Sequence, residues 1–588
     1  MRQLKTRWSD KIDREHVLEE YPRPLMRRNS YINLNGMWDY AITGENRMPE
    51  KYDGAICVPF SPESQLSGVK RQLKPREYLW YRRRLPQHMR PEEGRRWLLN
   101  FGAVDQYAEV YVNGTLVKKH LGGYLPFTAD ITEALCEDGN ELAVLARDYS
   151  DASYYSRGKQ KLKRGGMFYT AQSGIWQTVW AEQVPDNYIT GISSTPVYDS
   201  GCLRITIEAR RSETVEVTVS SGEMQPVQVE GRSGHPVDIP LKEMHSWSPE
   251  DPFLYDIEVT MGEDQIESYA AMRKIEVKKD GHGIPRICLN NRPYFQKGVL
   301  DQGYWPEGLY TPPCDDAMIY DIRTMKELGF NMIRKHVKIE PQRWYYHCDR
   351  LGMLVWQDMV NGGRPYKGWY VTYMATAMEF FHIRMNDSLL GLLGRKDERG
   401  RWQFVEEMRG TIRHLKSHPS IVTWVIFNEG WGQFHAKTVT RIAREMDNTR
   451  LLDQASGWFD RGGGDVHSIH NYFYPLRIRP NMRTVALSEY GGIAWPMPGH
   501  EPPRKTYGYG TARSRAELTE RYCDLQRKTV LPQLKKGLSA LVYTQLTDVE
   551  DEVNGLFTYD RTAIKPDAAA VRAVNEALEA EFEKAVKA

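Results

Sequence analysis

The sequence predicts three successive units: an N-terminal β jelly roll, an immunoglobulin-like β-sandwich and a C-terminal (β/α)8 TIM barrel. Three observations carry this. Residues 1–186 hold short alternating runs between turn formers, without long helical periodicity. Residues 187–279 hold strands at close spacing. Over residues 280–588, apolar runs of strand length alternate with helical stretches, and there are eight of them, the barrel number.

In the first region the strand runs include "RRWLLNFGAV", "AEVYVNGTLV" and "NELAVLARDY". Asn113-Gly114 in "YVNGTLV" is a hairpin signal, because both residues tolerate the positive φ of a type I′ turn. This pattern fits a sandwich or jelly roll. In the second region "LRITIEAR", "TVEVTVSS", "FLYDIEVTM" and "YAAMRKIEV" alternate in under 100 residues, which suits a small immunoglobulin-like sandwich. The loop-like "WSPEDP" (247–252) punctuates it.

The barrel strands are expected at 294–300, 332–337, 353–359, 422–429, 451–457, 466–472, 484–491 and 540–548. Amphipathic helices such as "DAMIYDIRTMKELG" and "RAELTERYCDLQRKTVLPQL" lie between them. A doubly wound open sheet is the alternative, but no GxGxxG follows a strand.

Composition narrows the function. The chain of 588 residues is 41% hydrophobic and 27% charged, with a formal charge of +2 and no long block of one sign. Neither nucleic acid nor an anionic membrane has a footprint here. The charged amino terminus has no apolar signal core, and no window of about 20 apolar residues could span a bilayer. The seven cysteines are scattered without a CxxC pair, which suits reduced thiols in a cytoplasmic protein. A homo-oligomer is compatible with a chain of this size.

A TIM barrel builds its site at the C-terminal strand ends. Asp301 stands at the first, Arg334 and His336 at the second, Asp358 at the third and Asn428-Glu429 at the fourth. His470, Asn471 and Tyr472 close the sixth, Glu489 and Tyr490 the seventh, and Tyr543, Gln545 and Asp548 the eighth. Trp305, Trp431, Trp458 and Trp495 in adjoining loops are candidate sugar platforms. Taken singly, a strand-end Glu is most often a surface or salt-bridged residue. Arg334 alone reads as a structural ion pair, and Tyr472 alone as a core tyrosine. Two carboxylates over one barrel mouth, Glu429 and Glu489, are what glycosidic hydrolysis requires.

Other chemistries fit less well. His467 and His470 are three apart on a strand and point to opposite faces, and there is no HExxH, so no metal and no cofactor are expected. No GxSxG elbow follows a strand. The basic segment "GKQKLKRGG" (158–166) reads as a solvated surface loop rather than a substrate contact.

These residues resemble glycoside hydrolase family 2, which holds β-galactosidases, β-glucuronidases and β-mannosidases. "RRNSYINLNGMWDYAI" and "FGAVDQYAEVYVNGTLVKKHLGGYLPFTADIT" resemble its sugar-binding jelly roll, and "WSPEDPFLYDIEV" its middle domain. "NRPYFQKGVL", "NMIRKHVKIEPQRWYYHCDRLGMLVWQD", "FNEGWGQF" and "SEYGG" resemble its catalytic barrel. The resemblance implies Glu429 as general acid/base and Glu489 as nucleophile of a retaining double displacement. It implies Asn428 on the sugar 2-hydroxyl, Tyr472 and Arg334 on the nucleophile, and His336 and Asp301 lining the terminal-sugar subsite. Trp431, Trp458 and Tyr543 would border the sugar.

Departures from that pattern bear on the sugar. Where β-glucuronidases carry an Asn-x-Lys pair, "DEVNGLFTYDR" places Glu552 and Asn554, and an acid there would repel a uronate. "WQDMVNGG" offers only Asp358 toward a magnesium site, and Tyr543 stands where relatives often have Trp. The expected substrate is a small carbohydrate or glycoside with a neutral, β-galactoside-like terminal sugar. β-Galactofuranoside, arabinoside, β-mannoside and β-glucoside stay open, and β-glucuronide is disfavoured. The rival from another class is a carbohydrate-binding protein that has lost catalysis, which the presence of both carboxylates and Asn428 opposes. The jelly roll is expected to buttress the barrel rather than act as a lectin.

Overall fold

The computed structural model describes residues 4–222, 224–380, 383–473, 475–479, 481–500 and 506–587. Two antiparallel sheets form the first unit. One has four strands ordered Tyr31–Asn33, Val179–Pro185, Arg95–Phe101 and Phe127–Asp130. The other has six, with Glu141–Arg147 between Tyr78–Arg84 and Tyr107–Val112. Trp38, Leu79, Leu99, Phe101, Val110 and Val144 pack between them. The expected hairpin is present: Asn113 and Gly114 take φ of 50° and 78° and join Tyr107–Val112 to Thr115–Leu121.

The second unit packs a three-stranded sheet on a four-stranded one. Tyr255–Met261 alternates buried and exposed at every residue, as a strand covered on one face must. Ile205, Val217, Ile257 and Ile266 fill the space between the sheets.

The barrel strands are β1 (Gln296–Asp301), β2 (Met332–Lys335), β3 (Leu354–Asp358), β4 (Ile421–Val425), β5 (Leu451–Asp453), β6 (Val466–Asn471), β7 (Thr484–Gly491) and β8 (Leu538–Thr544). They form one parallel sheet in the order β5-β4-β3-β2-β1-β8-β7-β6. Among the described residues no ladder joins β5 to β6. A hydrogen bond from Ser468 Oγ to Asp453 Oδ2 ties them instead, so the ring is nearly closed. Helix α1 (Asp315–Glu327) buries Met318, Ile322 and Met325 against the outside of the sheet, and α2 (Gln342–Leu351) buries Trp344, Tyr345 and Cys348.

Side-chain alternation then sorts the strands. Leu300, Met332, Leu354, Trp356, Ala486, Ala540 and Val542 share one apolar cluster with Ile287 and Leu289, which cover one end of the barrel. Val299, Ile333, Val355, Leu487 and Leu541, one residue out of phase, pack under the helices. No helix among the described residues is long and apolar enough to cross a membrane.

Candidate active site

Two residues beyond the apolar layer, the same inward rows turn polar: Met332 is followed by Arg334, Trp356 by Asp358 and Ala486 by Ser488. Arg334 is fully buried. Its Nε and Nη2 donate to Asp358 Oδ1 and Oδ2, each at 2.9 Å. Nη1 donates to Ser456 Oγ at 2.8 Å, Ser488 O at 3.0 Å and Glu489 Oε1 at 3.2 Å, and Nη2 to Asn428 Oδ1 at 2.8 Å. One planar guanidinium thereby fixes groups from four strand ends.

Glu489 owes its direction to a bulge. Between Leu487 and Tyr490, β7 holds one residue more than either β6 or β8, and the register resumes with His470 opposite Glu489. The extra residue turns Glu489 inward after Ser488. Tyr472 OH donates to Glu489 Oε2 at 2.7 Å and lies 2.9 Å from Thr544 Oγ1. The Tyr472 ring stacks on Tyr509 at 3.8 Å between centroids. Gly491 is required next to it, since a Cβ there would meet the Tyr543 ring at 2.3 Å and the backbone has φ of 85°.

Strand β4 stops at Val425, short of the polar pair. Beyond it the chain continues beside β5's extension, with Ser456 N donating to Phe427 O at 2.8 Å and Glu429 N to Ser456 O at 2.9 Å. Glu429 itself has φ of 50°, a conformation a glutamate adopts only when its surroundings dictate it. Gly430 follows at φ of 71° against the face of Phe459, where a Cβ would approach to 2.5 Å. His470 Nδ1 lies 2.8 Å from Glu429 Oε1, and His470 Nε2 lies 2.9 Å from Ser456 Oγ and 3.7 Å from Glu489 Oε1. Donor atoms of Glu429, His470 and Glu489 come within 4.8 Å of one another. Both nitrogens of His470 are already engaged, which suits an imidazole joining two carboxylates more than a metal ligand.

Opposite shifts separate the two carboxylates. Burial raises Glu429; its hydrogen bond to His470 pulls it down, Glu489's charge pushes it up, and the net direction is up. Burial also pushes Glu489 up, but His470, Arg334, Lys159 and the Tyr472 hydroxyl outweigh it and hold the carboxyl below its ordinary range. Burial lowers His470, and the charges of Glu489 and Glu429 more than reverse that. A pair driven apart in this way is the usual basis for dividing acid and base roles.

The other predicted residues divide by strand phase. Arg334, Asn428 and Tyr472 join the carboxylates as expected. His336 faces Glu489 Oε1 at 3.7 Å and places Nδ1 2.9 Å from Gln302 Oε1. Burial, then Lys159 and Arg334, keep it well below the usual imidazole range. Trp431 is buried 6.2 Å from the His336 ring, and Trp458 stands edge-on to His470 at 5.8 Å. Asp301 and Tyr543 are corrections. Asp301 follows inward Leu300 and points outward, held by Lys335 Nζ and by Gly303 N at 2.8 Å. Tyr543 points outward too, against Tyr522 and Tyr490 at 5.0 and 5.7 Å. Gln302, just past the end of β1, and Thr544, the last residue of β8, face inward instead, meeting His336 Nδ1 and Tyr472 OH. Trp305 lies under the Arg561 guanidinium and Trp495 packs with Ile493 and Leu518, so neither borders the carboxylates.

His470, Ser456 and Lys159 also belong to the site. The sequence signal for His470 was its strand-end position; Ser456 had none. The segment 158–166 departs from the solvated loop expected of it. Arg157 N and Gly158 N donate to Asn361 O at 2.9 and 3.1 Å, which seats it on the barrel mouth. Lys159 is only 5% exposed.

Comparison with known proteins agrees with this architecture. The description "Glycosyl hydrolases family 2, sugar binding domain" matches residues 74–185, and "Glycosyl hydrolases family 2" matches 189–273. "Glycosyl hydrolases family 2, TIM barrel domain" matches 287–476, taking in Glu429. The chain belongs to glycoside hydrolase family 2.

Among family 2 relatives, a β-galactosidase of Vibrio vulnificus is 26% identical over 76% of this chain and 40% of its own length. A β-galactosidase of Leuconostoc mesenteroides is 26% identical over 62% of this chain and 34% of its own. The chain thus spans well under half the length of these β-galactosidases. A rat β-glucuronidase is 23% identical over 82% of this chain and 81% of its own. In fold, a Ruminococcus gnavus β-glucuronidase superposes with a TM-score of 0.72 at 18% identity, over 96% of this chain and all of that one. A β-galacturonidase of Eisenbergiella tayi superposes with a TM-score of 0.67 at 18% identity, over 96% of this chain and 99% of that one.

Proposed function

We propose that the protein is a retaining exo-β-glycosidase with Glu489 as nucleophile and Glu429 as general acid/base. The observation that carries this is the pair itself. Their nearest oxygens lie within 4.8 Å of one another, close to the about 5–5.5 Å of retaining enzymes and short of the about 6.5–9.5 Å that leaves room for an inverting water. Family 2 membership supports the same reading.

In the first step Glu489 attacks the anomeric carbon as the glycosidic C–O bond breaks, and Glu429 gives its proton to the departing oxygen. In the second, Glu429 takes a proton from water, which attacks the glycosyl-enzyme and returns the Glu489 carboxylate. Arg334 and Tyr472 hold the nucleophile ionised and fixed in direction. Asn428 contributes a preset donor: its Oδ1 accepts from Arg334, so Nδ2 is turned away, and that buried Nδ2 makes no hydrogen bond among the described residues. A sugar 2-hydroxyl placed there would satisfy it, a bond that strengthens in the transition state. His336 Nε2 is likewise buried and makes no hydrogen bond among the described residues, with Asp358 and Glu489 oxygens each 3.7 Å away. Arg157 N and Gly158 N anchor the jelly-roll segment on Asn361 O beside the end of β3, which fits a site closed toward that side and a terminal sugar.

A panel of p-nitrophenyl β-glycosides tests the reading. Hydrolysis of at least one by the wild type, and its loss in Glu429→Gln and Glu489→Gln, is the expected result. Full activity in either variant overturns the assignment.

A further inference from the structure

We propose that Lys159, supplied by the jelly roll, selects a negatively charged sugar: its ammonium receives the carboxylate of a terminal β-uronoside. This rests on the glycosidase reading of Glu429 and Glu489.

The placement is unusual for a lysine. Its side chain runs inward from the seated segment, and Tyr169 N donates to Lys159 O at 3.0 Å to fix the backbone. Nζ lies 5.5 Å from the Tyr169 ring centroid and 5.8 Å from that of Trp431. Trp431 in turn borders His336. Through Trp431 and His336 the ammonium is set beside the site, and its charge acts on Glu429, Glu489 and His336 alike. Among the described residues, Nζ makes no hydrogen bond and no ion pair within 4 Å. Buried lysines are almost always paired, and here the nearby opposite charges are those of Glu429 and Glu489. The Glu489 carboxylate is bonded by Arg334 and Tyr472 and not by Lys159, which leaves the ammonium's donors unused among the described residues.

The case against a uronate rested on Glu552 and Asn554 standing in place of an Asn-x-Lys pair, with the acid Glu552 repelling the sugar carboxylate. Here the Glu552 carboxylate is occupied, accepting from Tyr169 OH and from Asn554 Nδ2. Asn554 Oδ1 accepts from Gln545 Nε2 at 2.8 Å. The Glu552 carboxylate is thus bonded within the protein, partly by Tyr169 of the jelly roll, and the same jelly-roll segment brings Lys159 to the site. Lys159 is thus a specificity residue that no barrel motif would reveal.

The test compares p-nitrophenyl β-D-glucuronide and β-D-galacturonide with the matching β-D-glucoside and β-D-galactoside, in the wild type, Lys159→Met and Lys159→Arg. The wild type should favour one uronide over its neutral counterpart by at least about 100-fold in kcat/KM. Lys159→Met should collapse that ratio toward one, mainly through KM on the uronide, and Lys159→Arg should keep part of it. A wild type that prefers the neutral sugar overturns the proposal. So does a Lys159→Met variant in which both sugars fall alike, since the lysine would then act only on Glu429 and Glu489. Calorimetry on Glu489→Gln separates failure of the glycosidase reading. Tighter binding of glucuronic or galacturonic acid than of glucose or galactose, lost in the double variant with Lys159→Met, supports the lysine's role even without turnover. Equal binding of acid and neutral sugar refutes it.

Discussion

His470 places Nδ1 2.8 Å from Glu429 Oε1 while its other nitrogen faces Glu489 at 3.7 Å. One imidazole therefore lowers both carboxylates. Replacing it with alanine removes a stabiliser of each ionised form, so both limbs of the pH–rate profile should move to higher pH. A profile displaced on one limb only would show that His470 serves a single carboxylate.

The wild-type profile should itself be bell-shaped. Glu489 must be ionised to attack, and protonating it gives the acid limb; its lowered value keeps that limb low. Glu429 must be protonated to assist departure, and ionising it gives the alkaline limb, which its raised value moves upward. With a dinitrophenyl leaving group that needs no protonation, Glu429→Ala should retain its first step and lose the alkaline limb in pre-steady-state kinetics.

Tyr472→Phe deletes the hydroxyl that donates to Glu489 Oε2 at 2.7 Å. A hydrogen bond to a charged group contributes about 1.5–3 kcal/mol. The loss should cost roughly 10–100-fold in kcat/KM and raise the acid limb, with the Tyr509 stack preserving the fold. An unchanged acid limb would separate the tyrosine from the nucleophile.

Arg334→Met leaves Asp358 buried without its two-pronged partner. Removing one member of a buried pair costs about 3–5 kcal/mol, so this variant should lose stability along with activity. Arg334→Lys should recover part of the stability but little activity, because a lysine cannot reach Asp358, Glu489 and Asn428 together. Thermal melts and kinetics on the two variants check this.

Stability should also respond to pH through the jelly roll. Glu63 is pushed up to about 8, chiefly by burial, although Leu73 N and Ser173 N each donate to it at 3.0 Å. Between the ordinary glutamate value of about 4.3 and that raised value, the folded chain holds a proton that the unfolded chain has lost. Stability contributed at low pH therefore falls as pH rises across this window and levels off above it. The melting temperature of Glu63→Gln relative to wild type should improve from pH 5 to pH 8.

The barrel was legible because eight apolar runs at helix-separated spacing admit few topologies, and the carboxylates because an apolar run that leads into an acid is conspicuous. What escaped was phase. Asp301 and Tyr543 sit one residue from Gln302 and Thr544, and with a side-chain period of two that residue is the difference between helix layer and pocket. Glu489 reaches the pocket through a bulge that no periodicity announces. Lys159 escaped for another reason: a basic loop reads as solvated until tertiary contacts with Asn361 show where it lies.

Retention is the central claim, and the configuration of the first-formed product tests it most directly. Proton NMR of the hydrolysis of a cleaved p-nitrophenyl β-glycoside, recorded before mutarotation, should show the β-anomer of the free sugar appearing first. Initial appearance of the α-anomer would contradict the double displacement and with it the role of Glu489 as nucleophile.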